Sequence, residues 1–122
     1  MSYRIAVVDD DMMNLRMAEF ILQQAGYTVD KLESGMDCLN YLKEQTPELI
    51  LLDVEMPIMN GIQALEIIRA NEDTANIPVM FLTASADTDT VVEAGRLGVV
   101  DYVKKPFLPD ELLKRVEKVF YE

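Results

Sequence analysis

Apolar residues fall along the chain in two alternating rhythms. Runs in which nearly every position is hydrophobic lie near 3–8, 49–52 and 77–82, with further runs near 27–31 and 100–103. Strands that are apolar on both sides suit a parallel sheet covered on both faces, whereas the mixed run near 27–31 suits an edge. Between these runs the apolar spacing changes to that of a helix. Leu15, Ala18, Leu22 and Ala25 predict a helix over about 12–25, and Gly26 stands where a helix end favours a left-handed residue. Ser34, with Asp37 three residues on, resembles a capping box opening a helix that holds Leu39 and Leu42, with Pro47 a short distance beyond. Asn60-Gly61 is a turn signal before a helix through Ile62, Leu65 and Ile68. Two more helices follow, at about 88–97 and 109–120. Pro109 suits a first helical position there, and Leu112, Leu113, Val116 and Val119 form the apolar side. The order is (βα)5, which predicts an α/β fold: a doubly wound five-stranded parallel sheet with helices on both faces.

Composition narrows the picture. With 122 residues, half of them hydrophobic, the chain holds material for one core, so one domain over 1–122 is expected, its final helix reaching nearly to Glu122. No apolar run approaches the roughly 20 residues that a membrane-spanning helix needs. The N-terminus MSYRIAVV enters a strand directly instead of showing a signal-peptide pattern, so a soluble, cytoplasmic chain is expected. A formal charge of −11 opposes contact with phosphate backbones or anionic lipid, which argues against direct nucleic-acid or membrane binding. Cys38 is the sole cysteine, has no internal disulfide partner and reads as a packing residue. Histidine is absent, which excludes His-based metal sites, Ser-His and Cys-His nucleophile pairs and a histidine general base.

The chemistry-bearing residues stand at strand exits. Asp9 and Asp10 follow IAVV, Asp53 follows ELILL, Thr83 follows VMFL, and Lys105 follows DYVK. Side chains launched from the ends of parallel strands converge on one crevice. Taken singly, Thr83 reads as a strand-end threonine, Lys105 as a surface lysine and Asp11 as a helix cap. Their joint occurrence carries the functional reading. Crowded carboxylates raise one another's energy unless a cation offsets them, and Mg²⁺ suits a few carboxylates while keeping positions for water and phosphate oxygens. One carboxylate can then act as nucleophile toward phosphorus, with Lys105 supplying positive charge and Thr83 a hydroxyl donor.

The motifs VVDDD at 7–11, LLDVEMPIMNG at 51–61, FLTAS at 81–85 and DYVKKPF at 101–107 together resemble the bacterial response-regulator receiver domain, over essentially the whole chain. The resemblance implies a flavodoxin-like strand order 2-1-3-4-5. It implies Asp53 as phosphoacceptor, Asp10 as a direct Mg²⁺ ligand, Asp9 as an acid reaching the metal through water, and the Glu55 backbone carbonyl as a further ligand. It gives Thr83 and Lys105 phosphate-contacting roles, makes Tyr102 the aromatic switch position, and implies a cis bond between Lys105 and Pro106. It also implies a phosphohistidine donor, either a sensor histidine kinase or a histidine phosphotransfer protein. A downstream effector domain or protein and a phosphorylation-dependent homodimer are compatible with it. The family varies at the positions of Glu55 and Ser85, where residue type influences acyl-phosphate lifetime. Glu55 there could disfavour an incoming anion or orient a water. Met12 and Met13, beside the acids, are docking candidates or else ordinary helix residues, and Lys104 is expected to face solvent.

The reading that follows is a regulatory switch that catalyses its own aspartyl phosphorylation and dephosphorylation, and is not a metabolic enzyme. A haloacid-dehalogenase-type phosphatase would carry its nucleophile in a first D-x-D motif and its acidic pair last, the reverse of this order. A pseudo-receiver, a binding module without phosphorylation, typically lacks one of the acids, the threonine or the lysine, all of which are present here. A Rossmann nucleotide site would need G-x-G-x-x-G after the first strand, and none follows it.

Overall fold

The computed structural model describes residues 2–84 and 88–121. Strands β1 (Arg4–Val8), β2 (Thr28–Leu32), β3 (Leu49–Asp53), β4 (Val79–Thr83) and β5 (Asp101–Lys104) alternate with five helices. These are α1 (Met12–Gln24), α2 (Gly35–Tyr41), α3 (Gly61–Ala70), α4 (Thr88–Arg96) and α5 (Pro109–Tyr121). All pairings are parallel and the sheet order is β2-β1-β3-β4-β5, so β2 lies at an edge as its mixed composition predicts.

Period-two alternation divides the core between the two faces. Ile5, Val7, Leu49, Leu51, Met80 and Leu82 pack with Leu15, Ala18 and Leu22 of α1 and Leu112 and Val116 of α5. Ala6, Val8, Ile50, Leu52, Val79 and Phe81 pack with Cys38 of α2, Leu65 and Ile68 of α3 and Ala94 of α4. β1, β3 and β4 are therefore covered on both sides, which is why their sequences lack polar alternation. Cys38 is fully buried, and burial pushes its thiol up to about 12, in keeping with a packing role.

Helix ends follow local chemistry. Asp11 caps α1, its carboxylate accepting the Met13 N–H at 2.9 Å. At the other end Gly26 adopts φ 96°. The Tyr27 and Gly26 N–H groups donate to Leu22 and Gln23 carbonyls, the Schellman pattern that leaves Ala25 exposed at the cap. Ser34 caps α2 by accepting the Asp37 N–H. The reciprocal capping box lies at α3, where Asn60 and Gln63 each accept the other's N–H at 2.9 Å. β4 begins at Val79, two residues later than the apolar run, because Pro78 has no N–H to give the ladder. Arg69 at the end of α3 donates to the carbonyls of Ala75, Ile77, Leu97 and Gly98, joining the segments that lead into β4 and β5.

Candidate functional site

Strand register assembles the crevice. Val8 is paired with Leu52, so the next residues, Asp9 and Asp53, leave the sheet side by side. Thr83 is paired with Lys104, and the Lys105 N–H donates to the Thr83 carbonyl at 2.7 Å, which brings the lysine to the neighbouring exit. The Lys105–Pro106 bond is cis, and the exposed side chain of the two lysines is Lys104.

Among the described residues, Asp9, Asp10 and Asp53 each offer a carboxylate oxygen, all within 4.8 Å of one another. Asp9 and Asp53 are buried at 0% and 1% exposure, while Asp10 is exposed. Lys105 Nζ lies 3.0 Å from Asp9 Oδ2 and 2.9 Å from Asp53 Oδ1. Asp53 Oδ1 also accepts the Glu55 N–H at 3.2 Å, and Asp9 Oδ1 accepts the Asp11 N–H at 2.9 Å. Asp53 Oδ2 is buried and, among the described residues, accepts no hydrogen bond. Asp9 Oδ2 has only the Lys105 ammonium beside it, outside hydrogen-bond geometry. A buried oxygen without a donor and three carboxylates against one ammonium are the signature of a place for a hard cation. An all-oxygen set of this size fits Mg²⁺.

Burial is the main reason that the Asp53 carboxyl is pushed up to about 7; the Lys105 hydrogen bond works against the rise and the Asp9 charge adds to it. Burial by itself would lower the Lys105 ammonium, but its close pairing with the Asp53 and Asp9 carboxylates raises it above its ordinary value. Because the Asp53 carboxyl is raised, the folded chain keeps a proton that the unfolded chain releases. Metal-free stability is therefore expected to fall by about 2–4 kcal/mol as pH rises from about 4 to above 7. Added Mg²⁺ should reverse the loss, and Asp53→Asn should flatten it. Thermal unfolding at pH 5 and pH 8, with and without Mg²⁺, reads all three effects.

Further residues close the site. The β3–α3 turn carries Val54 and Met56 buried and Glu55 exposed, and Ile58 has a positive φ of 71° with its side chain fully in solvent. The Glu55 carboxylate reaches Thr83 and Ala84 across the crevice, a contact that residue type alone did not reveal. Met12 and Met13 are both exposed, at 39% and 64%, so neither is a core residue. With Met17 and Phe20 they give α1 an apolar outer face, and Met13, Arg16, Met17, Phe20 and Pro109 line a shallow groove there. Tyr102 is 38% exposed, with the Arg115 guanidinium 5.8 Å from its ring centroid. Ser85 lies outside the described residues.

Five parallel strands in this order, with acids and a lysine gathered at their C-terminal ends, define a flavodoxin-like fold of the CheY type. The family model of the response regulator receiver domain matches residues 5–117, and the chain belongs to that family of two-component signalling modules. It is similar to the DNA-binding response regulator MtrA of Mycobacterium tuberculosis H37Rv, with 39% identity over 116 residues covering 95% of this chain and 50% of that protein. The phosphate regulon regulator PhoB of Escherichia coli K12 is 37% identical over 119 residues, covering 98% and 52%. The chain thus spans about half the length of the curated relatives it matches. Among solved structures, chemotaxis protein CheY4 of Vibrio cholerae superposes with a TM-score of 0.93 at 28% identity, covering 98% of this chain and 100% of that one. The BeF3-activated DrrB receiver domain superposes at 0.87 with 34% identity, covering all of both chains. Among the described residues, no helix is long and apolar enough to cross a membrane.

Proposed function

We propose that this chain is a phosphorylation-dependent switch, residues 1–122 forming one receiver domain that accepts a phosphoryl group on Asp53 in the cytoplasm. The observation that carries the reading is the buried Asp53 carboxylate, held at Oδ1 by Lys105 and without a hydrogen bond at Oδ2 among the described residues. Asp10 and Asp53, with the Glu55 backbone carbonyl and with Asp9 through water, would hold Mg²⁺. When bound, that ion supplies positive charge for the phosphoryl oxygens.

An Asp53 carboxylate oxygen attacks phosphorus, and the O–P bond forms as the donor's N–P bond breaks. The bonding electron pair leaves with the partner's imidazole, which takes up a proton from water. Lys105 offsets charge on the transferring group and Thr83 turns its hydroxyl toward a phosphoryl oxygen. Hydrolysis later returns the Asp53 carboxylate and inorganic phosphate, by attack of water on phosphorus. Lacking histidine, the chain depends on a partner for the phosphohistidine, a sensor histidine kinase or phosphotransfer protein. The apolar outer face of α1, next to the acids, supports docking of that partner.

Output follows from packing. The cleft between β4, β5 and α4, lined by Phe81, Thr83, Val91, Ala94 and Tyr102, holds about 10 Å³, room for no more than one water. Tyr102 can enter only when Thr83 moves toward the phosphoryl group, and the exchange alters the face built by α4, β5 and α5. An effector or a second receiver would read that face, while the −11 charge disfavours nucleic acid as a direct ligand of this module.

Intact-mass measurement after incubation with acetyl phosphate tests the reading. One phosphoryl adduct is expected, requiring both Mg²⁺ and Asp53 and absent from Asp53→Asn. No adduct with acetyl phosphate or with a panel of phosphohistidine donors, together with no Mg²⁺ binding, would leave the pseudo-receiver reading in its place.

A further inference from the structure

Glu55 leaves the sheet two residues after Asp53, between two buried neighbours. Val54 and Met56 are each only 8% exposed, and the Val54 N–H is tied to the Leu82 carbonyl at 3.0 Å, so the intervening side chain is directed outward. The side chain is exposed, yet it bends back over the crevice. Its Oε1 spans from the β3 exit to the β4 exit and accepts the Thr83 hydroxyl at 3.2 Å and the Ala84 backbone N–H at 3.3 Å. A hydroxyl and a backbone amide beside a nucleophilic carboxylate are the donors that an incoming anionic oxygen requires. A carboxylate oxygen and a phosphoryl oxygen are acceptors of the same kind, and one pair of donors cannot serve both at full strength.

We propose that Glu55 is a built-in competitor of the phosphoryl group: its carboxylate occupies the Thr83 and Ala84 donors in the resting chain and must withdraw before a phosphoryl group on Asp53 can take them. The proposal rests on Asp53 being the phosphoacceptor. Glu55 thereby acts on the gain of phosphate and not as the group that orients the hydrolytic water. Its withdrawal also removes one hold on the Thr83 hydroxyl, so the same contact bears on both the chemistry and the conformational response. The side chain is exposed and reaches solvent on release, so withdrawal needs no rearrangement of the core.

Two variants separate charge from contact. Glu55→Ala removes the acceptor; Glu55→Gln keeps an acceptor oxygen without the charge. With acetyl phosphate and Mg²⁺, the rate of adduct formation is expected to rise about fivefold in Glu55→Ala, the factor set by one competing hydrogen bond, with Glu55→Gln between it and the unaltered chain. Independently of any donor, hydrogen exchange of the Ala84 amide, followed by NMR, is expected to accelerate in Glu55→Ala. Unchanged Ala84 exchange, or an adduct rate no higher than that of the unaltered chain, overturns the proposal while the Asp53 reading stands. A slower gain with a longer-lived adduct overturns it too and assigns Glu55 to the attacking water. If neither the unaltered chain nor the variants form an adduct although Ala84 exchange accelerates, the Asp53 reading is what failed. The competition falls with it and Glu55 is reduced to a tether between two loops.

Discussion

Lys105→Met is expected to slow phosphorylation of Asp53 by acetyl phosphate by about 10²–10³, the usual cost of removing one group that stabilises charge in the transition state. Lys105 Nζ sits 3.0 Å and 2.9 Å from the two buried carboxylates, and among the described residues no other ammonium or guanidinium pairs with either of them. Two effects act together. The transferring phosphoryl group loses its positive partner, and Asp53, already pushed up to about 7 by burial, loses the hydrogen bond that holds it down. Less of it is then ionised and nucleophilic at neutral pH. Mg²⁺ affinity should move the other way. At pH 8 and above, a site with one positive charge fewer attracts a cation more strongly, so titration calorimetry should show tighter Mg²⁺ binding in the variant. A slower reaction beside tighter metal binding distinguishes loss of charge from collapse of the site. If phosphorylation were unchanged, Lys105 would have no part in the chemistry.

Gly61→Ala is expected to destabilise the fold by about 2–3 kcal/mol, lowering Tm by about 10 °C. A Cβ there would fall inside van der Waals contact with the Asp53 carbonyl oxygen and 2.9 Å from Val54 Cα. Both are backbone atoms with no flexible end to yield. The turn is pinned by hydrogen bonds from Gly61 N–H to the Val54 carbonyl at 2.9 Å and from Val54 N–H to the Leu82 carbonyl at 3.0 Å. Relief must come from moving the backbone that carries Asp53, so phosphorylation should also fall at temperatures where the variant remains folded. Gly95→Ala is the control. A Cβ at Gly95 meets nothing within 4 Å, and alanine in a helix is favoured over glycine by about 0.5–1 kcal/mol. Differential scanning calorimetry on both variants should show opposite shifts.

The contrast between these positions shows what the sequence carries. Strand exits were legible because a parallel sheet ends all its strands on one side, so Asp9, Asp53, Thr83 and Lys105 could be placed in one crevice without knowing a distance. Layer structure was legible for the same reason: IAVV, LILL and VMFL admit no solvent-facing side. Residue type did not reveal the direction of flexible side chains. The resemblance places Glu55 where it could disfavour an anion or orient a water, but only the geometry of the turn shows its carboxylate on Thr83 and Ala84. Asn60-Gly61 reads as a turn, yet the glycine is required by the approach of helix α3 to the strand carrying Asp53, and the asparagine forms a capping box with Gln63 that the spacing toward Asp37 had suggested for α2 instead. The start of β4 depended on a missing N–H at Pro78, a backbone property that an apolar count overlooks. Ala25 fits the periodicity but lies past the helix end, where Gly26 has already turned the chain.

β2 and β5, the outer strands of the sheet, read TVDKL and DYVK, short segments with charges of both signs. A further strand laid along either edge would have to settle beside Asp30 and Lys31 or Asp101 and Lys104, and would gain only four or five residues of ladder. Growth by strand addition is thus discouraged at both margins, and so is the runaway stacking of copies that an open sheet invites. Encounters with other proteins are left to the helices, whose contacts bury side chains instead of backbone and can be released as readily as they form.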